Sequence, residues 1–152
     1  MTEYEKYEKE CEKIREENTE YLRLFAEDLK GKVSEKTAQR HVENADFFIN
    51  EYLLREDANP IQKGITKVNS FFGSFYIRKC MWSTPGNLKS TAASIKKFYK
   101  CMMEHGKIDH EDYEFLCAEI KEGLPFWQED CARYNDPEED YFEDEFSWLE
   151  GI

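Results

Sequence analysis

Glycine and proline are scarce in this chain, seven and four in 152 residues. Scarcity of the two turn-forming residues disfavours an all-β fold, which needs a tight reversal after every short strand. No run approaches the ~20 apolar residues that cross a bilayer, so no membrane span is expected. Met1 to Glu20 are rich in charge and hold no apolar stretch of the signal-peptide kind. The cysteines are Cys11, Cys80, Cys101, Cys117 and Cys131, an odd number with no Cys-x-x-Cys pair among them. Such usage disfavours a disulfide framework and reads as reduced thiols in a cytoplasmic protein.

Several kinds of chemistry are missing too. There is no Gly-rich phosphate loop, no Gly-x-Ser-x-Gly elbow and no His-Glu-x-x-His. The 33 carboxylates are too numerous for any pair to stand out as acid and base. Cys101 and His105 sit at i and i+4 of one helical pattern, and His110 and Cys117 follow. Informative zinc spacings are nonetheless absent, so these cysteines read as core residues and the histidines as surface ones. The expectation is a non-enzyme, with no cofactor and no metal.

What the chain has in excess is negative charge, unevenly placed. The formal net charge is −12, which for the whole chain argues against nucleic acid and anionic membranes. Residues 1–30 carry ten acids and six bases, and residues 31–125 carry thirteen acids and fourteen bases. Residues 126–152 carry ten acids and one base. Between Asp57 and Glu104 no acid occurs, while Lys63, Lys67, Arg78, Lys79, Lys89, Lys96, Lys97 and Lys100 all fall there. An acidic protein thus contains a basic middle and an acidic tail.

A hydrophobic fraction of 40% with helical spacing predicts an all-α fold, a small helical bundle. Tyr4, Tyr7, Cys11, Ile14, Asn18, Tyr21 and Phe25 form one seam, which Gly31 is placed to stop. Ser34 is placed to cap a second helix, to about Arg55, burying Ala38, Val42, Ala45, Phe48, Ile49, Tyr52 and Leu53. Asn59-Pro60 ends it. A third helix is expected from Thr66 to about Cys80, with Val68, Phe71, Phe72, Phe75 and Tyr76 inward. Thr84 and Pro85 suit the start of a fourth, which buries Leu88, Ala92, Ile95, Tyr99 and Met102 and closes at Gly106. Asp109 is placed to cap a fifth helix carrying Tyr113, Leu116, Cys117 and Ile120. Pro125 is placed to open a short sixth with Trp127 and Cys131. On this reading residues 1–30 form an N-terminal amphipathic helix, 31–125 the bundle, and 126–152 an acidic aromatic extension.

At 100° per residue Lys89, Lys96 and Lys100 fall within about 40° of one another on the fourth helix, beside its apolar face. An ammonium stripe of this kind tracks phosphates by releasing their condensed counterions. Lys63, Lys67, Arg78 and Lys79 are available to extend it. The plainer alternative is a solvated lysine face. The total lack of acids over residues 58–103 favours the functional reading.

The order of features over residues 19–108 resembles a known family. Ser34-Glu35-Lys36-Thr37 starts a helix that holds Asp46-Phe47-Phe48; Gly64-Ile65-Thr66-Lys67-Val68 follows, then Ser94-Ile95-Lys96-Lys97-Phe98-Tyr99 and Gly106-Lys107-Ile108. This order resembles the N-terminal SAM-like, or core-binding, domain of phage integrases and tyrosine recombinases. The resemblance implies four helices in two crossed pairs packed against duplex DNA, the second and fourth helices near the backbone. Carried over, the DNA contacts are Lys36 and Arg40 on the second helix and Lys89, Lys96, Lys97 and Lys100 on the fourth. The recombinase catalytic domain has no counterpart. Only 44 residues follow Ile108, and His41, His105 and His110 are followed three places on by Asn44, Ile108 and Tyr113 rather than by arginine. The resemblance therefore implies the fold and DNA contact of that family without strand cleavage.

Two ends remain. Residues 136–152 interleave acids with Tyr141, Phe142, Phe146, Trp148 and Leu149. This pattern fits a segment that folds on a protein partner, a terminal helix docked on its own body, or an acidic cover for the basic middle. In the first helix, Asn18 in the seam suits either a dimer register or packing on the chain's own bundle; the second is favoured, giving a monomer or weak dimer. The functional expectation is non-specific DNA binding, and the competing one a protein-interaction module working through the acidic tail.

Overall fold

The computed structural model describes residues 1–80 and 83–135. Its elements are α1 (Glu3–Leu29), α2 (Glu35–Asp46), a π-helical continuation (Phe47–Tyr52), α3 (Ile61–Gly64), α4 (Val68–Ser70), a second π-helical stretch (Phe71–Phe75), α5 (Tyr76–Lys79), α6 (Pro85–Glu104) and α7 (His110–Asn135). Among the described residues no strand forms, only one bridge between Lys30 and Val33. The fold is an all-α, small helical bundle.

The helix starts obey local chemistry. Thr2 and Glu5 form a reciprocal capping box on α1. The Ser34 hydroxyl accepts from the Thr37 amide at 3.1 Å, and Thr84 accepts from Asn87 at 3.0 Å ahead of Pro85 in the first turn of α6. Gly31 and Gly106, at φ 79° and 75°, take the left-handed conformation that turns the chain out of α1 and α6.

Tertiary packing reshapes two helices. After Asp46 the backbone widens, so that the Leu53 amide reaches Phe48 O at 2.9 Å, five residues back. The Phe71–Phe75 stretch does the same, with the Tyr76 amide on Phe71 O. The two wide stretches face each other. Phe71 lies 5.0 Å from Phe48 and 4.9 Å from Tyr52, centroid to centroid, and Tyr52 lies 4.9 Å from Phe75. An inserted residue rotates the ring positions on each helix, and these aromatic contacts stabilise the rotation.

The core joins all the long helices. Phe25 of α1 meets Phe98 of α6 edge-on at 5.5 Å. Tyr99 is fully buried and donates to Ile61 O at 2.8 Å, across the close approach that Gly64 permits. Asn18, also buried, donates to Asn50 Oδ1 at 2.7 Å, so the α1 seam is used inside the chain. Of the inward residues expected on the second and fourth helices, Ala45, Phe48, Ile49, Leu53, Leu88, Ala92, Ile95, Tyr99 and Met102 are buried, and Ala38, Val42 and Tyr52 are half-buried.

Two regions differ from expectation: a short helix, α3, forms where a loop was expected after Asn59-Pro60, and the sixth helix does not stand alone. The helix expected to open at Pro125 is the second half of α7, with Pro125 inside it. Proline removes one backbone donor and crowds the preceding turn, yet Trp127 anchors the helix beyond it. The Trp127 ring stacks on Phe72 at 5.0 Å and its Nε1 donates to Asn69 Oδ1 at 2.9 Å. Farther on, Gln128 donates to Pro85 O and Asn135 to Ser83 O, laying α7 antiparallel along α6.

Candidate functional site

The sequence-derived contacts lie on α6 and α2. Lys89, Ala93, Lys96, Lys97 and Lys100 are exposed, while Leu88, Ala92, Ile95, Phe98 and Tyr99 are buried. The helical period alone produces this division, with apolar residues inward and ammonium groups on the opposite arc. Among the described residues none of these four lysines forms an ion pair. Lys36 and Arg40 are exposed on α2 and likewise make no ion pair there.

A buried polar junction fixes α2 against α6. His41 Nδ1 lies 2.7 Å from Ser94 Oγ, Asn44 Nδ2 donates to the same oxygen at 3.0 Å, and Ser94 donates to Ser90 O at 3.1 Å. Burial holds the His41 imidazole below its usual pKa, and the charges of Lys97 and Arg40 push it the same way. Arg40 of α2 and Lys97 of α6 thus act on one imidazole from two helices. His41 itself is polar in a position the apolar pattern did not mark.

The basic residues do not share one surface. Lys89 and Lys96 rim a groove of about 400 Å³ between α6 and α7, whose apolar floor includes Ala92, Ile120 and Leu124. Lys121 of α7 joins that rim through tertiary packing, for which the sequence carried no signal. Lys67, Arg78 and Lys79 gather instead at a cleft of about 420 Å³ with Arg55, Glu56 and Asp57, which no α6 residue lines. There Arg55 lies over the Phe75 ring at 5.2 Å. The basic middle of the sequence is therefore divided between surfaces: among the described residues no acid lines the α6–α7 groove, whereas Glu56 and Asp57 line the other cleft.

A second cluster sits at the far end of α6. Asp28 Oδ2 accepts from Cys101 Sγ at 3.0 Å and lies 3.1 Å from His105 Nε2. Cys101 lies in the last turn of α6, and His105 is its C-cap. Hydrogen bonding from Cys101, then from His105, holds the Asp28 carboxyl below its usual range. Burial first, and then the Asp28 carboxylate, raise the Cys101 thiol far above its usual value. Sequence spacing paired Cys101 with His105 but carried no signal for Asp28, which is 73 residues from Cys101.

The acidic aromatic tail, residues 136–152, for which partner binding, docking on its own body and covering the basic middle were the alternatives, lies outside the described residues. No helix of the described residues is long and apolar enough to cross a membrane. Comparison with family models, curated proteins and solved structures found no match to this chain.

Proposed function

We propose that this protein is a non-catalytic DNA-binding bundle that contacts the duplex backbone through Lys89, Lys96, Lys97 and Lys100 of α6, with Lys36 and Arg40 of α2 beside them. The observation that carries the reading is the exposed, unpaired lysine arc of α6, in a stretch without acids between Asp57 and Glu104. Ammonium groups held on a rigid helix neutralise phosphates and release counterions, without regard to base sequence. His41 and Ser94 support this role by fixing α2 on α6, which sets the spacing of the two basic rows. The resemblance to the SAM-like core-binding domain of integrases leads to the same two helices. In this reading the chain shares that domain's DNA contact and not the recombinase reaction, and works in the cytoplasm as a monomer or weak dimer.

Fluorescence anisotropy of a labelled duplex at low salt tests it. The full chain binds, and Lys89→Glu with Lys96→Glu and Lys100→Glu abolishes binding while circular dichroism stays helical. Equal binding by the charge-reversed chain contradicts the reading.

One observation favours a second reading. The α6–α7 groove combines an apolar floor with Lys89, Lys96 and Lys121 on its rim, a surface complementary to an acidic amphipathic peptide. A peptide of residues 136–152, added in trans to a chain truncated after Asn135, binds on this reading and competes with DNA. DNA binding unaffected by saturating peptide leaves the groove without that role.

A further inference from the structure

We infer that Asp28, Cys101 and His105 form a binding site for a divalent transition-metal ion of the Zn2+ type, joining α1 to the end of α6. The three side chains offer one carboxylate oxygen, one sulfur and one imidazole nitrogen, all within 4.8 Å of one another. Zinc bonds of ~2.0 Å to oxygen, ~2.0–2.1 Å to nitrogen and ~2.3 Å to sulfur, at tetrahedral angles, set ligand separations of roughly 3.3–3.6 Å. The Asp28–Cys101 and Asp28–His105 distances, 3.0 and 3.1 Å, need only a few tenths of an ångström of opening. Thiolate with imidazole selects a borderline-soft ion over Mg2+ or Ca2+, which take oxygen ligands.

The scaffold already positions the ligands. Cys101 and His105 are one turn apart on α6, and Gly106, at φ 75°, ends the helix directly after the histidine. Asp28 arrives from the last turn of α1, held against α6 by the Phe25–Phe98 contact. The sulfur is buried, whereas the His105 and Asp28 side chains are 35% and 32% exposed, so an ion enters from the solvent side. Lys32 and Glu104, of opposite charge, both act on Cys101. Binding breaks the Cys101 S–H bond, forms a metal–sulfur bond and releases one proton to solvent. Neutral His105 binds through the Nε2 lone pair with its proton on Nδ1, and the fourth position takes water.

This inference is independent of DNA contact, because none of the three ligands lies in the lysine arc. Titration of the reduced full chain with Co2+ tests it. One equivalent produces the thiolate-to-cobalt charge-transfer band and the strong visible bands of tetrahedral Co2+, and Zn2+ then bleaches both. Cys101→Ser abolishes the charge-transfer band. His105→Gln, at an exposed position, and Asp28→Asn each weaken binding at least ~10-fold with helicity unchanged. The triple Lys→Glu chain binds cobalt like the parent, which separates this result from the DNA result. Absence of the charge-transfer band at saturating Co2+ in the parent chain, or its survival in Cys101→Ser, overturns the inference.

Discussion

Nδ1 of His41 lies 2.7 Å from Oγ of Ser94, both side chains buried where α2 crosses α6. The pair ties the spacing of the two basic rows to the protonation state of one imidazole. Burial, with Lys97 and Arg40, depresses that pKa below 6.5. The unfolded chain therefore holds the proton more tightly than the folded one. Stability from His41 is complete above about pH 6.5 and is lost as pH falls through the lower folded value. Urea midpoints measured from pH 7.5 down to 5 should fall for the parent and fall less for His41→Gln. The Asp28 carboxyl, depressed from 3.8, loses its contribution only below that value, outside the pH 7.5–5 range. Identical slopes for parent and variant contradict the assignment.

A tight approach at Gly64 makes a second prediction. A Cβ there stands 2.5 Å from the Tyr99 hydroxyl and 2.7 Å from Leu53 Cδ1. Gly64→Ala should cost about 1–3 kcal/mol in urea unfolding, as overpacking does. Adding Tyr99→Phe removes one of the two clashes along with the bond to Ile61 O. The double variant should lose less than the two single losses combined. Strict additivity contradicts the geometry.

Those two sites also mark where the sequence was and was not legible. Helix starts at Ser34 and Thr84 and stops at Gly31 and Gly106 follow from local hydrogen bonding and backbone freedom, and each is where the sequence places it. The buried face of α6 follows from its period. By contrast, the π-helical widening after Asp46 and after Ser70 arises from ring contacts between segments distant in sequence, which no local pattern encodes. Pro125 signals a boundary locally, and Trp127 overrides it through Phe72 and Asn69. The lysine arc of the candidate site was legible because one helix holds it. Asp28 beside Cys101, and Lys121 across the groove from Lys89 and Lys96, are products of tertiary packing.

Trp127 makes a third prediction. Trp127→Ala removes the stack on Phe72 and the bond to Asn69. The expected loss is ~3–5 kcal/mol, with amide exchange rising first in α7 beyond Pro125. Trp127→Phe keeps a ring and loses only the bond to exposed Asn69, and should cost less, ~0.5–1.5 kcal/mol. A full-length α7 as protected in Trp127→Ala as in the parent contradicts the anchoring role.

Charge makes the fourth. Residues 136–152 contain eight acids and no base. Ending the chain at Asn135 removes that negative field and should raise duplex affinity and steepen its dependence on salt. Anisotropy titrations of the two chains at several salt concentrations check this, and equal affinity at every salt concentration contradicts it.

The central claim is that lysines of α6, with Lys36 and Arg40, neutralise backbone phosphates. The most direct measurement is the slope of log K against log salt for duplex binding by the full chain, beside Lys89→Gln with Lys96→Gln and Lys100→Gln. Six phosphate contacts predict a slope near about −5 for the parent, and the loss of three makes it shallower by about 3. The account predicts that result with no change in preference among duplexes of different sequence. A slope near zero, or one that the three substitutions leave unchanged, contradicts it.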